Sequence, residues 1–487
     1  MPKPLSCSLK ANVARLKEMF GNSADLYAKP VEVRGIPCCL CMFEGLSTLE
    51  RLWVVMLSML NESRFEPADG QELFDYIQNR TDLPVENTPV EDFDALRTQL
   101  TAGTTVMLID NCCKAVVLST QNMQFRSVQE PSGEGDIRDS REGFCDLVRI
   151  NVSLVRRLVR TETLTTRIFP VGRRTATEVA VLYDRALAKP DFVNAIVEKL
   201  QAVDLPVLFD SGYLAPFLQR GSFSFFQEVG YTERPVTAAA KICEGKIVVL
   251  VNASPFAMIV PYFFNENFQS LDDYAGKAYF ASAVRLLKYT AFLLSVLLPG
   301  LFVSIAEYTP ELFPPQLLYK VAAAETATPL PLFMEMMLVI VLLEIIREAG
   351  LRLPKPIGHS VSLVAALIVG DAATKAGIMS TPVLIVAALT TISIFVIPSL
   401  YEPATVLRVL FVLAGGLFGP FGMVTMFFLM LVSICGMHSF GVPYTSPLVP
   451  FGRGAMRDAL VRMPWHRLAD HPFDVNDLPG GEQQYES

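Results

Sequence analysis

Histidine and tryptophan are scarce, with four of one and two of the other in 487 residues. A chain so poor in histidine has little from which to build metal sites and general bases. It also lacks a Gly-Lys-Ser phosphate loop, a two-histidine metal helix and a nucleophile elbow. The expectation is therefore a protein that is not an enzyme and needs no cofactor or metal. Gly133-Glu134-Gly135 has glycines, but no strand before it and no helix directly after it, and reads as a surface loop. Charge is thin as well, at 18% of residues against ~25% in a typical soluble domain. The net charge of −8 has the wrong sign for a protein whose main partner is nucleic acid. A signal peptide is missing too: residues 1–30 hold Lys3, Lys10, Arg15, Lys17 and Asp25 without an apolar core, which points to a cytoplasmic front half.

Nine cysteines are present, with Cys38, Cys39 and Cys41 close together and Cys112-Cys113 adjacent. A metal site needs ligand pairs at fixed spacing, usually with histidines beside them. Here the first cluster falls in an apolar run that reads as a buried strand. The cysteines are expected to be reduced and structural, without disulfides.

What the chain does have is a change of solvent halfway. Up to about residue 280 it reads as a soluble α/β body; beyond it come long apolar runs. Tyr289–Ile305 carries no charge over nearly the length a bilayer core demands. Further runs follow at Leu332–Leu343, Val361–Gly370, Ile378–Leu400 and Val409–Cys435. The expected fold is an α/β soluble N-terminal half followed by an α-helical polytopic membrane domain. The expected divisions are an N-terminal extension (1–24), a first cytoplasmic subdomain (25–140), a linking helix (141–162) and a second subdomain (163–280). The membrane domain (281–445) and a cytoplasmic C-terminal tail (446–487) complete the chain.

The soluble half repeats itself. Leu96, Leu100 and Gly103 lead into a strand at Thr105–Ile109, a turn at Asp110-Asn111 and a strand at Ala115–Leu118. Ala238, Ile242 and Gly245 lead into Ile247–Val251, the turn Asn252-Ala253-Ser254 and Phe256–Val260. In both, apolar residues at helical spacing end on a glycine suited to a helix C-terminus. Upstream, Val31–Val33, Gly35 and Pro37–Phe43 precede a helix at Thr48–Leu60. Thr165–Phe169, Gly172 and Thr177–Tyr183 likewise precede a helix at Pro190–Val203. Two related α/β subdomains are expected. A helix at Arg141–Arg160 joins them and carries Arg149, Arg156, Arg157 and Arg160. With Glu130, Glu134, Asp136 and Glu142 just upstream, those charges suit a subunit interface; a solvated face and anionic headgroups are the alternatives.

Within the apolar runs, charges matter most. Glu335 and Glu344 lie on an otherwise apolar helix, costing ~2.5–3.5 kcal/mol each at bilayer centre on insertion scales. Glu344 can pair with Arg347 one turn on, whereas Glu335 has no such partner and is the better candidate for an ion pathway. Gly358, Ser362, Ala366 and Gly370 form a small stripe that permits close packing or lines a pore. Val361, Val364 and Ile368 then form an apolar gate. His359 reads as a cap. Basic residues at 285–288, 347–355 and 453–467 face the cytoplasm with either four crossings plus a re-entrant piece or six.

Several strings carry a resemblance. Gln129-Glu130-Pro131 with Glu134, Arg138 and Arg141-Glu142-Gly143-Phe144 is similar to the arginine-rich junction of the A subunits of bacterial spore germinant receptors, the GerA family. So are Gly172-Arg173-Arg174-Thr175, Asp210-Ser211-Gly212-Tyr213, Thr232-Glu233-Arg234-Pro235 and Ser254-Pro255-Phe256-Ala257. In the apolar half, Leu298-Pro299-Gly300-Leu301, Arg347-Glu348-Ala349-Gly350, Leu353–Gly358, Ser439–Tyr444 and Pro464-Trp465 fit as well. Asp139, Cys112-Cys113 and Val236 depart from the family pattern. The resemblance implies a receptor subunit in the inner membrane of a dormant spore, working with a transporter-like B subunit and a lipoprotein C subunit. It also implies a homo-oligomeric ring that releases monovalent cations when the germinant binds. Glu130, Arg138, Arg141, Glu142, Glu233 and Arg234 are then the candidate interface. The alternatives are a SpoVAF-type sporulation paralogue, a non-conducting membrane scaffold, and a carrier, which would show repeats within the membrane half.

Overall fold

The computed structural model describes residues 4–47, 65–80, 89–118, 140–219, 224–353, 368–452, 455–469, 475 and 478. The expected helix at Thr48–Leu60, the loop at Gly133–Gly135, and Gly358, His359 and Ala366 lie outside them.

The first subdomain opens with helix α1 (Leu9–Met19), followed by strands β1 (Leu26–Val33) and β2 (Ile36–Phe43). Arg34 and Gly35 both take positive φ, at 51° and 80°, the geometry a two-residue hairpin turn needs. Helices α2 (Gly70–Arg80) and α3 (Phe93–Thr101) come next, then strands β3 (Thr105–Ile109) and β4 (Ala115–Leu118). The sheet is antiparallel in the order β1-β2-β3-β4. Strand side chains alternate between faces, so Cys39, Cys41 and Phe43 pack with Leu16 of α1 and Leu96 of α3. Cys38 and Leu40 face the other way, against Leu73 and Ile77 of α2. Both faces are covered, so β2 reads as an unbroken apolar run.

The second subdomain has α4 (Val148–Leu158), β5 (Leu164–Val171), β6 (Thr177–Asp184) and α5 (Pro190–Gln201). The short strand β7 (Gly230–Thr232), α6 (Pro235–Cys243), β8 (Ile247–Val251) and β9 (Ala257–Val260) complete it. Its sheet order is β5-β6-β8-β9-β7, the first sheet's order with one added edge strand. Gly103 and Gly245, after α3 and α6, have φ of 92° and 83°. Asn111 and Ala253, in the turns that follow, have φ of 59° and 72°.

The duplication reaches further than the sequence pattern, since α1 and α4 are equivalent as well. Before α1, Asn12 Oδ1 accepts from Ser6 N at 2.9 Å, Leu9 N donates to Asp110 Oδ1 at 3.0 Å and Asn111 N to Cys7 O at 2.9 Å. Before α4, Asn151 Oδ1 accepts from Cys145 N at 2.9 Å, Val148 N donates to Asn252 Oδ1 at 3.2 Å and Ala253 N to Asp146 O at 2.7 Å. This asparagine clamp holds the approach to α4 in non-helical form. The helix therefore starts at Val148, not at Arg141 as its sequence suggests. The same clamp carries Cys7 to the β3–β4 turn, where it is bonded to Cys113 with the Cα atoms 4.4 Å apart. The expectation of no disulfide is corrected there. Of the other cysteines, Cys38, Cys39, Cys41 and Cys112 are buried and free.

Helix α7 (Ala278–Tyr308) leaves the soluble body, followed by α8 (Pro315–Glu325), α9 (Leu332–Arg352), α10 (Thr381–Ile394) and α11 (Tyr401–Cys435). A straight helix as long as α11 spans about 52 Å. Yet Gln227 Nε2 meets Glu402 at 2.9 Å, and Ser224 Oγ meets Met437 at 3.0 Å. The chain doubles back at Gly419 (φ 61°, ψ −146°), just before Pro420, giving two antiparallel limbs. The bundle has two ends. At the far end, Phe333 N donates to Glu307 at 2.8 Å and Tyr308 Oη to Gly416 O at 2.9 Å. At the near end, against the soluble body, lie the start of α7, the end of α9 and both ends of α11. A Cβ on Gly300 would lie 2.5 Å from Phe411 O, and one on Gly415 2.5 Å from Gly300 O, so α7 and α11 touch backbone to backbone.

The segments 278–308 and 398–435 are long and apolar enough to cross a membrane, and α10 is a shorter apolar helix. Helix α9 is apolar in its first half apart from Glu335, and carries Glu344, Arg347, Glu348 and Arg352 in its second. Large apolar side chains point outward all around the bundle, among them Leu338, Ile345, Ile385, Ile392, Phe421 and Val432. In water such a surface is an aggregation site; in lipid it is the solvated one.

Candidate functional site

Glu335 sits in the first turn of α9 and is buried. Its carboxylate accepts from the backbone N–H of Ser380 at the start of α10. A carboxylate at a helix N-terminus is stabilised by the exposed N–H groups and the helix dipole, which explains how an acid is held in an apolar bundle. Glu344 lies more than two turns further along the same helix, at the near end. It accepts from Arg347 at 2.6 and 3.1 Å and from the hydroxyl of Tyr401. The Arg347 guanidinium stacks on the Tyr401 ring, 3.8 Å from its centroid. The structure thus places the two acids more than two turns apart on α9, each with its own partners, and does not bring them together. Ile368 opens a single π-helical turn, Ile368–Ala372. Val361, Ser362 and Val364 lie outside the described residues.

Of the junction residues, Glu130 and Arg138 also lie outside the described residues, and Arg141 is exposed. Glu142 accepts from Arg157 of α4. Arg234 is buried and donates to Ser140 O at 3.1 Å, while Phe144 N donates to Glu233 O at 2.7 Å. Two strings far apart in sequence therefore meet within one chain. Ser254 similarly bonds Asp210 and Ser211, joining two more.

The arginines of α4 act inside the chain. Arg156 is buried and forms a bidentate pair with Asp25 at 2.9 and 3.0 Å, with further bonds to Ser23 Oγ and Leu164 O. It ties the entry of β1 to the entry of β5. Arg149 spans Glu44 of one subdomain and Glu178 of the other, at 2.7 Å each, and that contact holds the Glu178 carboxyl below its ordinary range. A groove of about 600 Å³ lies beside it, lined by Lys17, Tyr27, Arg149, Phe169 and Glu178 among others.

Sequence reasoning missed the joint between the two halves. Lys246 is fully buried with Glu266, which also accepts from Lys241 at 2.7 Å. Burial lowers the Lys246 ammonium to about 8. Burial also works to raise Glu266, but the two ammoniums outweigh it and hold the carboxyl at about 2. Next to this cluster, Arg285 of α7 is fully buried. It bonds Asp273 at 2.6 Å, and Asp458 both at its carboxylate, 2.8 Å, and at its carbonyl, 2.6 Å. Tyr274 also donates to Asp458 at 2.6 Å. The segment after the last apolar helix thus returns to grip the base of the first. The sequence held one signal, an arginine immediately before an uncharged run, but Asp458 is distant and unmarked.

A duplicated α/β body joined through buried ions to long apolar helices defines a membrane protein with a large domain outside the bilayer. The chain belongs to the Bacillus/Clostridium GerA spore germination protein family, whose family model matches residues 14–473. It is 31% identical to spore germination protein KA of Bacillus subtilis (strain 168) over 481 residues, covering 98% of this chain and 88% of that one. It is also 31% identical to spore germination protein GerLA of Bacillus cereus, over 94% of this chain and 93% of that one. The crystal structure of the N-terminal domain of the A subunit of the Bacillus megaterium spore germinant receptor GerK3 covers 54% of this chain and 98% of its own. That match has 20% identity and a TM-score of 0.42.

Proposed function

We propose that this protein is the A subunit of a spore germinant receptor, a non-catalytic membrane protein that assembles into a ring and forms a nutrient-gated cation channel. The observation that carries the reading is the family match, which runs through both the soluble body and the apolar bundle. The geometry supports a six-crossing arrangement. Helices α9 and α10 both begin at the far end, where Glu335 meets Ser380, which supports one further crossing in the connection between them. With α7, α9, α10 and the two limbs of α11, that makes six passes. The soluble body lies at the near end with the basic residues Arg285, Arg347, Arg352 and Arg462, and their charge supports a cytoplasmic position for that end.

In this reading a transporter-like B subunit and a lipoprotein C subunit complete the receptor, and monovalent cations are what the ring passes. Glu335, Glu344, Val361, Ser362, Val364 and Ile368 are the residues nearest the ion pathway. Glu130, Arg138, Arg141, Glu142, Glu233 and Arg234 contribute to the contact between subunits.

The test is cation flux in liposomes carrying the purified protein, with and without its partner subunits and nutrient. Nutrient-dependent release of potassium or sodium is expected. A protein of monomeric size that passes no cation with all partners present would leave a membrane scaffold as the better reading.

A further inference from the structure

The buried joint at the base of α7 contains donors with no acceptor. Arg462 is buried, with a side chain that meets no carboxylate among the described residues. Its guanidinium lies 5.8 Å from the Tyr274 ring centroid and 5.2 Å from that of Trp465. Its Nη1 reaches Gly276 O at 3.4 Å, while Nε and Nη2 have no partner. Arg285 lies 5.6 Å from the same Tyr274 ring, and its Nη2 is also unpartnered. The carboxylates of Asp273 and Asp458 are taken up by the remaining nitrogens of Arg285 and by Tyr274. Leaving charged N–H groups buried and unpaired costs free energy, and the fork geometry of a guanidinium fits two oxygens of one phosphate.

The surroundings favour a lipid source for such a phosphate. Tyr279, Phe280, Leu286 and Leu287, on the first turns of α7, are all more than 60% exposed, an apolar and aromatic belt of the kind that sits at a membrane surface. Trp465 is exposed beside Arg462, with its indole N–H donating to Tyr274 O at 3.2 Å. Lys277 and Arg467 add exposed positive charge on either side.

We propose that Arg462 and Arg285, with Tyr274 and Trp465, form a headgroup site for an anionic phospholipid at the near face of the bundle. The phosphate engages Nε and Nη2 of Arg462 and Nη2 of Arg285 once the Trp465 ring swings aside. The site rests on the reading of α7 as a membrane-crossing helix, and the test separates the two.

Full-length protein with Trp53→Phe keeps Trp465 as its single tryptophan. It is reconstituted in phosphatidylcholine vesicles doped with brominated phosphatidylglycerol or, at equal mole fraction, brominated phosphatidylcholine. Trp465 should be quenched at about tenfold lower mole fraction of the anionic lipid. Arg462→Gln should abolish that preference, and Arg462→Lys, which keeps the charge without the fork, should retain part of it. Inorganic phosphate at millimolar concentration should leave the preference intact; if it removes it, the ligand is free phosphate and the lipid assignment falls. Equal quenching by the two lipids in vesicles that carry the protein on flotation overturns the site alone. Failure to float with any vesicle overturns the membrane reading itself. The comparison of lipids in the Trp53→Phe protein decides the matter even where an Arg462 variant does not accumulate.

Discussion

Single residues carry the contacts that the sequence concealed. Arg156 sits on a helix with two other arginines, Arg149 and Arg157, and its charge suggests a solvated face. Its partner Asp25 is 131 positions away, beyond any local pattern, so only the folded chain reveals a buried bidentate pair. Removing one member of such a pair strands the other, at a cost of about 3–5 kcal/mol. Arg156→Ala should therefore lower the thermal midpoint sharply. The double replacement Arg156→Met with Asp25→Leu should recover much of the loss, as followed by circular dichroism. Glu266 gives a pH signature. Its carboxyl titrates near 2 when folded and near 4.3 when unfolded. The stability it contributes is fully present above about pH 4.3 and drains away as the pH falls toward 2. Lys246 runs the other way, because its folded value of about 8 lies below the unfolded ~10.4. Stability from that group rises between pH 8 and 10.4, where the unfolded chain holds more protons. Midpoints measured across pH should flatten on the acid side in Glu266→Gln. That variant should also be less stable at neutral pH, because the buried Lys246 ammonium loses its carboxylate while Lys241 keeps Glu244.

At the scale of elements, the strands, the turns and the Pro190 start of α5 are legible in the sequence, and the start of α4 is not. The β3 and β4 strands, the Asp110-Asn111 turn and their counterparts near residue 250 fall where apolar runs and turn residues put them. Strand periodicity and glycine are local signals. The start of α4 was read seven residues too early. Arg141–Leu147 has helical composition, yet the Asn151 side chain bonds both backbone groups of Cys145. Asn151→Ala should destabilise the protein by about 1–2 kcal/mol in urea unfolding, and the equivalent Asn12→Ala by a similar amount. The doubling back of α11 is half legible, since a Gly-Pro pair such as Gly419-Pro420 marks a break without saying that the limbs return side by side. Gly419 takes a φ that costs other residues about 1–2 kcal/mol, and a Cβ there would lie 2.7 Å from the Tyr308 ring. Gly419→Val should cut the amount of protein recovered from membranes, whereas Gly370→Ala, with nothing within 4 Å, should not.

For the whole molecule, the sequence displayed two halves but not what joins them. The joint is built from Lys241, Lys246 and Glu266 on the soluble side and from Arg285, Asp273 and Asp458 at the base of α7. Each is an ordinary charged residue in the sequence, and only three-dimensional proximity turns them into a buried network. Rigid coupling of this kind is what a receptor needs if an event in the α/β body is to move helices in the bundle. Asp458→Asn keeps the shape of the joint and removes one charge. Spores carrying it should hold near-normal amounts of the protein yet germinate poorly with nutrient, by optical-density loss. Full germination at normal abundance would separate the joint from signalling.

The grip of Asp458 on Arg285 also sets a timetable for biosynthesis. The two residues are 173 positions apart, which at 5–20 residues per second is roughly 10–35 s of translation. For most of that interval the first apolar helix is complete with one of its acid partners not yet made. A chain that stops early therefore exposes a charged arginine at the base of its leading helix.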